Sequence, residues 1–140
     1  MFGRDHRKRA LVVTWLIDHF TGMARIMAWM GILAIIILSV VPAADRPVTG
    51  AGQLIEHLTA FAIVGGAFAI GYRLSLTRLM FLAVLFCAGI ELLQIPLPTR
   101  HARVSDFLID TAGACLAILC VFVARQVLRT AVPSEAQLQK

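Results

Sequence analysis

The sequence predicts an all-α membrane protein: a bundle of four transmembrane helices, N-in/C-in, with an N-terminal interfacial helix as an option. Three observations predict it. Of the 140 residues, 59% are hydrophobic and only 15% charged, where a soluble domain runs nearer half apolar and about a quarter charged. The apolar residues form four blocks, each of the order needed to cross hydrocarbon, rather than a scattered core pattern. Finally, ten of the 13 Lys and Arg fall in the tail up to Arg25, in the 73–78 loop and from Arg125 onward, leaving Arg46, Arg100 and Arg103 for the other side. Bases concentrate on the cytoplasmic side of a membrane protein, so both termini are expected there.

Residues 1–22 are expected to be a basic cytoplasmic or interfacial segment, with Arg4, Arg7, Lys8 and Arg9 leading into LVVTWLIDHF. Val12, Trp15, Leu16 and His19 follow helical spacing, which fits an amphipathic turn or two with Trp15 at headgroup level. An N-terminal extension of the first span accounts for the same pattern equally well. The transmembrane domain is placed at 23–128 and a polar cytoplasmic tail at 129–140. Its first span, Ile26 to Val41, stops at Pro42, with Arg25 snorkelling from its base. Val41-Pro42-Ala43 before Ala44 also resembles a signal-peptidase site. The leader would be unusually long for that, and a retained span is preferred.

Residues 42–52, PAADRPVTGAG, read as a loop. The second span, Gln53 to Tyr72, opens with Glu56 and His57 and continues through Ala60, Ala62, Gly65, Gly66, Ala67, Ala69 and Gly71. Small residues let helix backbones approach where lipid supplies no hydrophobic drive, so this helix is expected to be the most enclosed by protein. RLSLTR (73–78) reads as a tight connection, and the third span, Leu79 to Ile95, is broken by Pro96 and Pro98. Ser105 or Asp106 is placed as the N-cap of the fourth span, Phe107 to Leu128.

Between the last two apolar runs lies the most informative stretch, Glu91 to Gly113. Glu91 and Gln94 share one face at the end of the third span, and Asp106 and Asp110 share one face at the start of the fourth. Glu56 and His57 sit at the same end of the second, so three helices bring polar groups to one depth, which is how bundles build sites. Arg100 and Arg103 belong to the loop above. A charged side chain in mid-span costs about 2.5–3.5 kcal/mol on insertion scales, so such groups are usually paired or used. Two readings follow. In one, the arginines neutralise the carboxylates and the cluster staples the helices together. In the other, an arginine binds a phosphate or carboxylate of a lipid-linked molecule, while a carboxylate or His57 acts as general base or acid. The candidate catalytic residues are then Glu91, Asp110 and His57, and the candidate substrate-binding residues Gln94, Arg100, Arg103 and Asp106.

Other function classes find little support. A basic run interleaved with aromatics is absent, so the net charge of +5 reads as membrane topology, with no nucleic-acid partner expected. Cys87, Cys115 and Cys120 lie in apolar runs and behave as small hydrophobes; no metal spacing and no cofactor motif is present, so neither is expected. Four short spans leave little room for the repeats used in alternating access.

The pattern E-x-x-Q, P-x-R, D-x-x-x-[DN]-x-x-G, between two spans and preceded by a helix with a His at its outer end, resembles the VanZ-like family of small bacterial membrane proteins. Here it reads Glu91, Gln94, Pro98, Arg100, Asp106, Asp110 and Gly113, with His57 upstream, and the likeness covers about residues 40 to 125. The family is associated with teicoplanin-type glycopeptide resistance. The resemblance implies a multi-pass protein of the bacterial cytoplasmic (inner) membrane that binds or modifies an envelope component, lipid-linked or related to peptidoglycan. A membrane lipid or lipid-linked envelope precursor is the implied partner. The competing class is a non-catalytic helper that assembles with a membrane-protein partner, or with itself, through the small-residue second helix. Departures from the family pattern are Gln53 and Leu54 where an Asp-Lys pair is common, Phe61 where a Tyr is common, and Asp110 where Asn is usual. They remove a Lys and a phenolic hydroxyl from the polar end.

Overall fold

The computed structural model describes residues 3–42, 50–97 and 103–131. Among them are four helices and no strand: α1 (Gly3–Val40), α2 (Gln53–Gly71), α3 (Leu76–Gln94) and α4 (Val104–Ala131). Each is long and apolar enough to cross a membrane, and side chains such as Phe81, Leu85, Leu116 and Val123 stand exposed on their outer faces. So much outward apolar surface fits a hydrocarbon solvent. The processing site considered at Ala43–Ala44 and the loop residues Asp45, Arg46, Pro98 and Arg100 lie outside the described residues.

Helix starts differ from the sequence expectation because caps, not apolarity, set them. In α3 the Ser75 hydroxyl accepts from the Arg78 backbone N–H at 3.4 Å, so the first turn lies inside what reads as the 73–78 connection. In α4 the backbone N–H groups of Asp106 and Phe107 both donate to the Arg103 carbonyl, at 2.9 and 3.2 Å. Asp106 is therefore a first-turn residue rather than the N-cap, placed where a carboxylate favours the helix dipole. Residues 3–40 form one unbroken helix, so α1 runs straight through the expected boundary at residue 22.

The tightest packing joins α2 to α4, and α2 carries six buried residues, among them Phe61, Val64, Gly65 and Ala69. A Cβ added at Gly65 would lie 2.7 Å from the Ala114 carbonyl oxygen, and one at Gly113 would collide with the Leu58 carbonyl oxygen. The Gly65 and Gly66 side of α2 thus lies against Ala114 and Ala117 of α4. Helix α1 lies along α2, with Gly31 making room for Val64. Helix α3 leans mainly on α4 and touches α1 and α2 lightly.

One end of the bundle is tied by arginines. Arg25 Nε donates to the Gly71 carbonyl at 2.8 Å and Arg125 Nη2 to the Ile70 carbonyl at 3.0 Å. Cations belong at a helix C-terminus, where unpaired carbonyls and the dipole are negative. Arg25 also lies over the Tyr72 ring, 5.3 Å from its centroid. That end is called the arginine end below. The opposite, polar end holds the C-termini of α1 and α3 and the starts of α2 and α4.

Candidate functional site

At the polar end, α2 begins after Gly52, whose φ of 83° is open to glycine alone among ordinary residues. The turn brings Gln53, Glu56 and His57 into the first turns of α2, with Gln53 and His57 reaching α4 and Glu56 on the α1 side. His57 Nδ1 donates to Asp110 Oδ1 at 3.0 Å, and this pair joins residues 53 positions apart. Asp110 is only 1% exposed, whereas His57 is half-buried. The carboxylate therefore sits inside the protein and the imidazole stands between it and the outside.

Two further contacts extend the cluster. Asp106 accepts from Gln53 Nε2 at 3.2 Å and from the Ser105 hydroxyl at 3.1 Å. Glu91, at the end of α3, accepts the Arg103 backbone N–H at 2.9 Å, and Asp106, Asp110 and His57 are near enough to act on its charge. Gln94 is buried one turn further along α3. Glu91, Gln94, Asp106, Asp110 and His57 thus gather at one end, from three helices.

Arg103 behaves differently from the staple expectation; Arg100 lies outside the described residues. Arg103 meets Glu91 through its main chain, and its side chain is exposed. Asp110 pairs with His57 instead of Arg103. Among the described residues, no guanidinium is paired with a carboxylate of this cluster.

Two clefts flank His57. One, of about 190 Å³, lies against Gln53, Leu54, Asp106 and Ile109. The other, of about 110 Å³, lies on the α1 side against Ser39, Glu56 and Phe61. Ser39 and Gln53 are the residues that sequence reasoning passes over as site members. Ser39 is a lone hydroxyl one turn before Pro42, 4% exposed in an otherwise apolar span, and that isolation is the signal that singles it out.

Chemically, an imidazole held through Nδ1 by a buried carboxylate has a fixed tautomer and a fixed ring orientation. It is suited to hold or transfer a proton at the mouth of a cleft. Two further carboxylates, Glu91 and Asp106, stand at the same end, and a bound anion would need basic groups such as Arg100 and Arg103 to offset them.

No curated protein and no solved structure was found to match this chain. A family model described as VanZ/LLP1 matches residues 4–125, a span that includes all of the polar cluster and all four helices up to the arginine end of α4. With that much of the chain matched, and with four membrane-spanning-length helices around it, this multi-pass membrane protein belongs to the VanZ/LLP1 family.

Proposed function

We propose that the polar end is an extracytoplasmic site, in the bacterial cytoplasmic membrane, that binds or modifies an envelope component such as a lipid-linked or peptidoglycan-related molecule. The observation that carries this reading is the His57–Asp110 pair: a buried carboxylate orienting an imidazole that lines two clefts. His57 and Asp110 handle the proton, Glu91 stands beside them, and Gln94, Arg100, Arg103 and Asp106 bind the polar head of the ligand. Arg100 takes the phosphate, for which its planar fork suits it.

The test is binding of a polyprenyl pyrophosphate to the full chain in nanodiscs. Saturable binding is expected, weakened tenfold or more by His57→Gln, Glu91→Gln and Arg100→Ala at unchanged thermal stability. The rival reading, a staple in a non-catalytic helper, is favoured by the Gln53–Asp106 and Glu91–Arg103 contacts, which tie three helices without needing a ligand. Under it the same substitutions lower stability and no binding appears.

The N-in/C-in orientation rests on the distribution of bases, and it is separately testable. The three native cysteines lie within α3 and α4, away from water-soluble reagents. Ser105→Cys is expected to react with a membrane-impermeant maleimide in intact cells, and Thr77→Cys only after permeabilisation. The reverse pattern would place the polar end in the cytoplasm. In the same orientation Trp15, at 57% exposure, and the bases before it belong to the cytoplasmic interface, as an interfacial stretch of α1.

A further inference from the structure

A larger cleft, of about 370 Å³, opens between α1, α2 and α3 over Ala114 and Ile118 of α4, walled by Trp29, Ile32, Phe68 and Phe86 among others. It exists because α3 leans on α4 and stands off from α1 and α2. Along α2 it runs from Phe61 to Tyr72, about 16 Å at 1.5 Å per residue. That is close to half of the ~30 Å hydrocarbon core, the depth of one leaflet. Apolar space of this kind does not hold water.

The cleft ends in charge. Tyr72, which closes its arginine end, accepts from Trp29 Nε1 at 2.8 Å, and Arg25 lies over the Tyr72 ring. Arg25 uses Nε to reach Gly71, and among the described residues its two terminal amino groups make no hydrogen bond. Arg73 follows Tyr72 directly and is exposed. The Arg25 guanidinium thus lies over the ring that closes an apolar slot of one-leaflet length, and Arg73 is the next residue along the chain. We propose that this cleft seats one acyl chain of an anionic phospholipid from the leaflet at the arginine end, with the headgroup phosphate on Arg25 and Arg73. The guanidinium fork matches phosphate oxygens, and a base near the surface favours anionic lipid by roughly five-fold.

The full chain is reconstituted in phosphatidylcholine vesicles carrying a trace of phosphatidylglycerol with a diazirine on its acyl chain, or of phosphatidylcholine labelled alike. Photolabelling is expected to concentrate on Leu82, Ala83 and Phe86 over the outward-facing Leu116 and Val123, and to favour phosphatidylglycerol by roughly five-fold per arginine. Arg25→Gln and Arg73→Gln should each remove part of that preference, while Ala83→Trp should suppress cleft labelling by filling the slot. Glu91→Gln should leave the pattern unchanged, so the result stands apart from the polar-end reading. The proposal is overturned if cleft labelling in the unsubstituted protein does not exceed that of Leu116 and Val123, if the two lipids label equally, or if cleft residues cross-link to a second copy of the chain.

Discussion

Gly113→Leu is expected to remove most of the folded protein from the membrane, and Gly113→Ala to destabilise it by about 1–3 kcal/mol, the usual range for overpacking. The reason is backbone proximity. A Cβ at Gly113 collides with the Leu58 carbonyl oxygen and lies 3.2 Å from Leu58 Cα. These are main-chain atoms of a helix, so relief requires α2 and α4 to separate. Gly65 makes the reciprocal approach from α2 to the backbone of Ala114. In lipid such contact is a principal source of helix association, because burying apolar side chains gains nothing over hydrocarbon. Gly89 is the control: nothing lies within 4 Å of its added Cβ, so Gly89→Ala should be neutral or stabilising by up to about 1 kcal/mol through helix propensity. Thermal unfolding in mild detergent, with membrane abundance, reads both. Equal stability of Gly113→Ala and the parent protein would show that the helices are not held at this crossing.

The same crossing shows what could be read from the sequence. Four spans, and the enclosure of α2, follow from block length and from the run of Ala and Gly, because both are local properties. The ends of α3 and α4 were less legible: apolarity marks where lipid begins, whereas the Ser75 hydroxyl and the Arg103 carbonyl mark where hydrogen bonding begins, each before the apolar run. The gathering of Glu91, Asp106, Asp110 and His57 at one end follows from spacing and alternating helix direction. The choice of partner does not. Asp110 had Arg103 near it in sequence and His57 53 residues away, and the outcome depends on how closely α2 and α4 approach. Gly113, three residues after Asp110, faces Leu58, the neighbour of His57. The motif glycine therefore has a physical role in the cluster, since it sets the helix separation across which the pair is made.

Asp110 allows fold and chemistry to be separated in one position. Asp110→Ala is expected to cost about 1–3 kcal/mol, as when a buried hydrogen-bond partner is lost, because Asp110 is 1% exposed and His57 Nδ1 loses that acceptor. Asp110→Asn keeps the shape and an oxygen to accept from Nδ1, so its stability cost should be about 1 kcal/mol or less, near that of one neutral hydrogen bond. It nevertheless replaces the carboxylate's charge-assisted hold on the imidazole by a weaker neutral one, so binding of the polyprenyl pyrophosphate should fall tenfold or more. A cycle with His57→Gln should report a coupling of about 0.5–3 kcal/mol between the two side chains. If Asp110→Asn binds as the parent does, the carboxylate has no part in ligand recognition and Asp110 serves only to join α2 to α4. If it unfolds as Asp110→Ala does, the negative charge itself holds the bundle closed, and the staple reading prevails. Stability retained with binding lost is the combination that only a working site at the polar end produces.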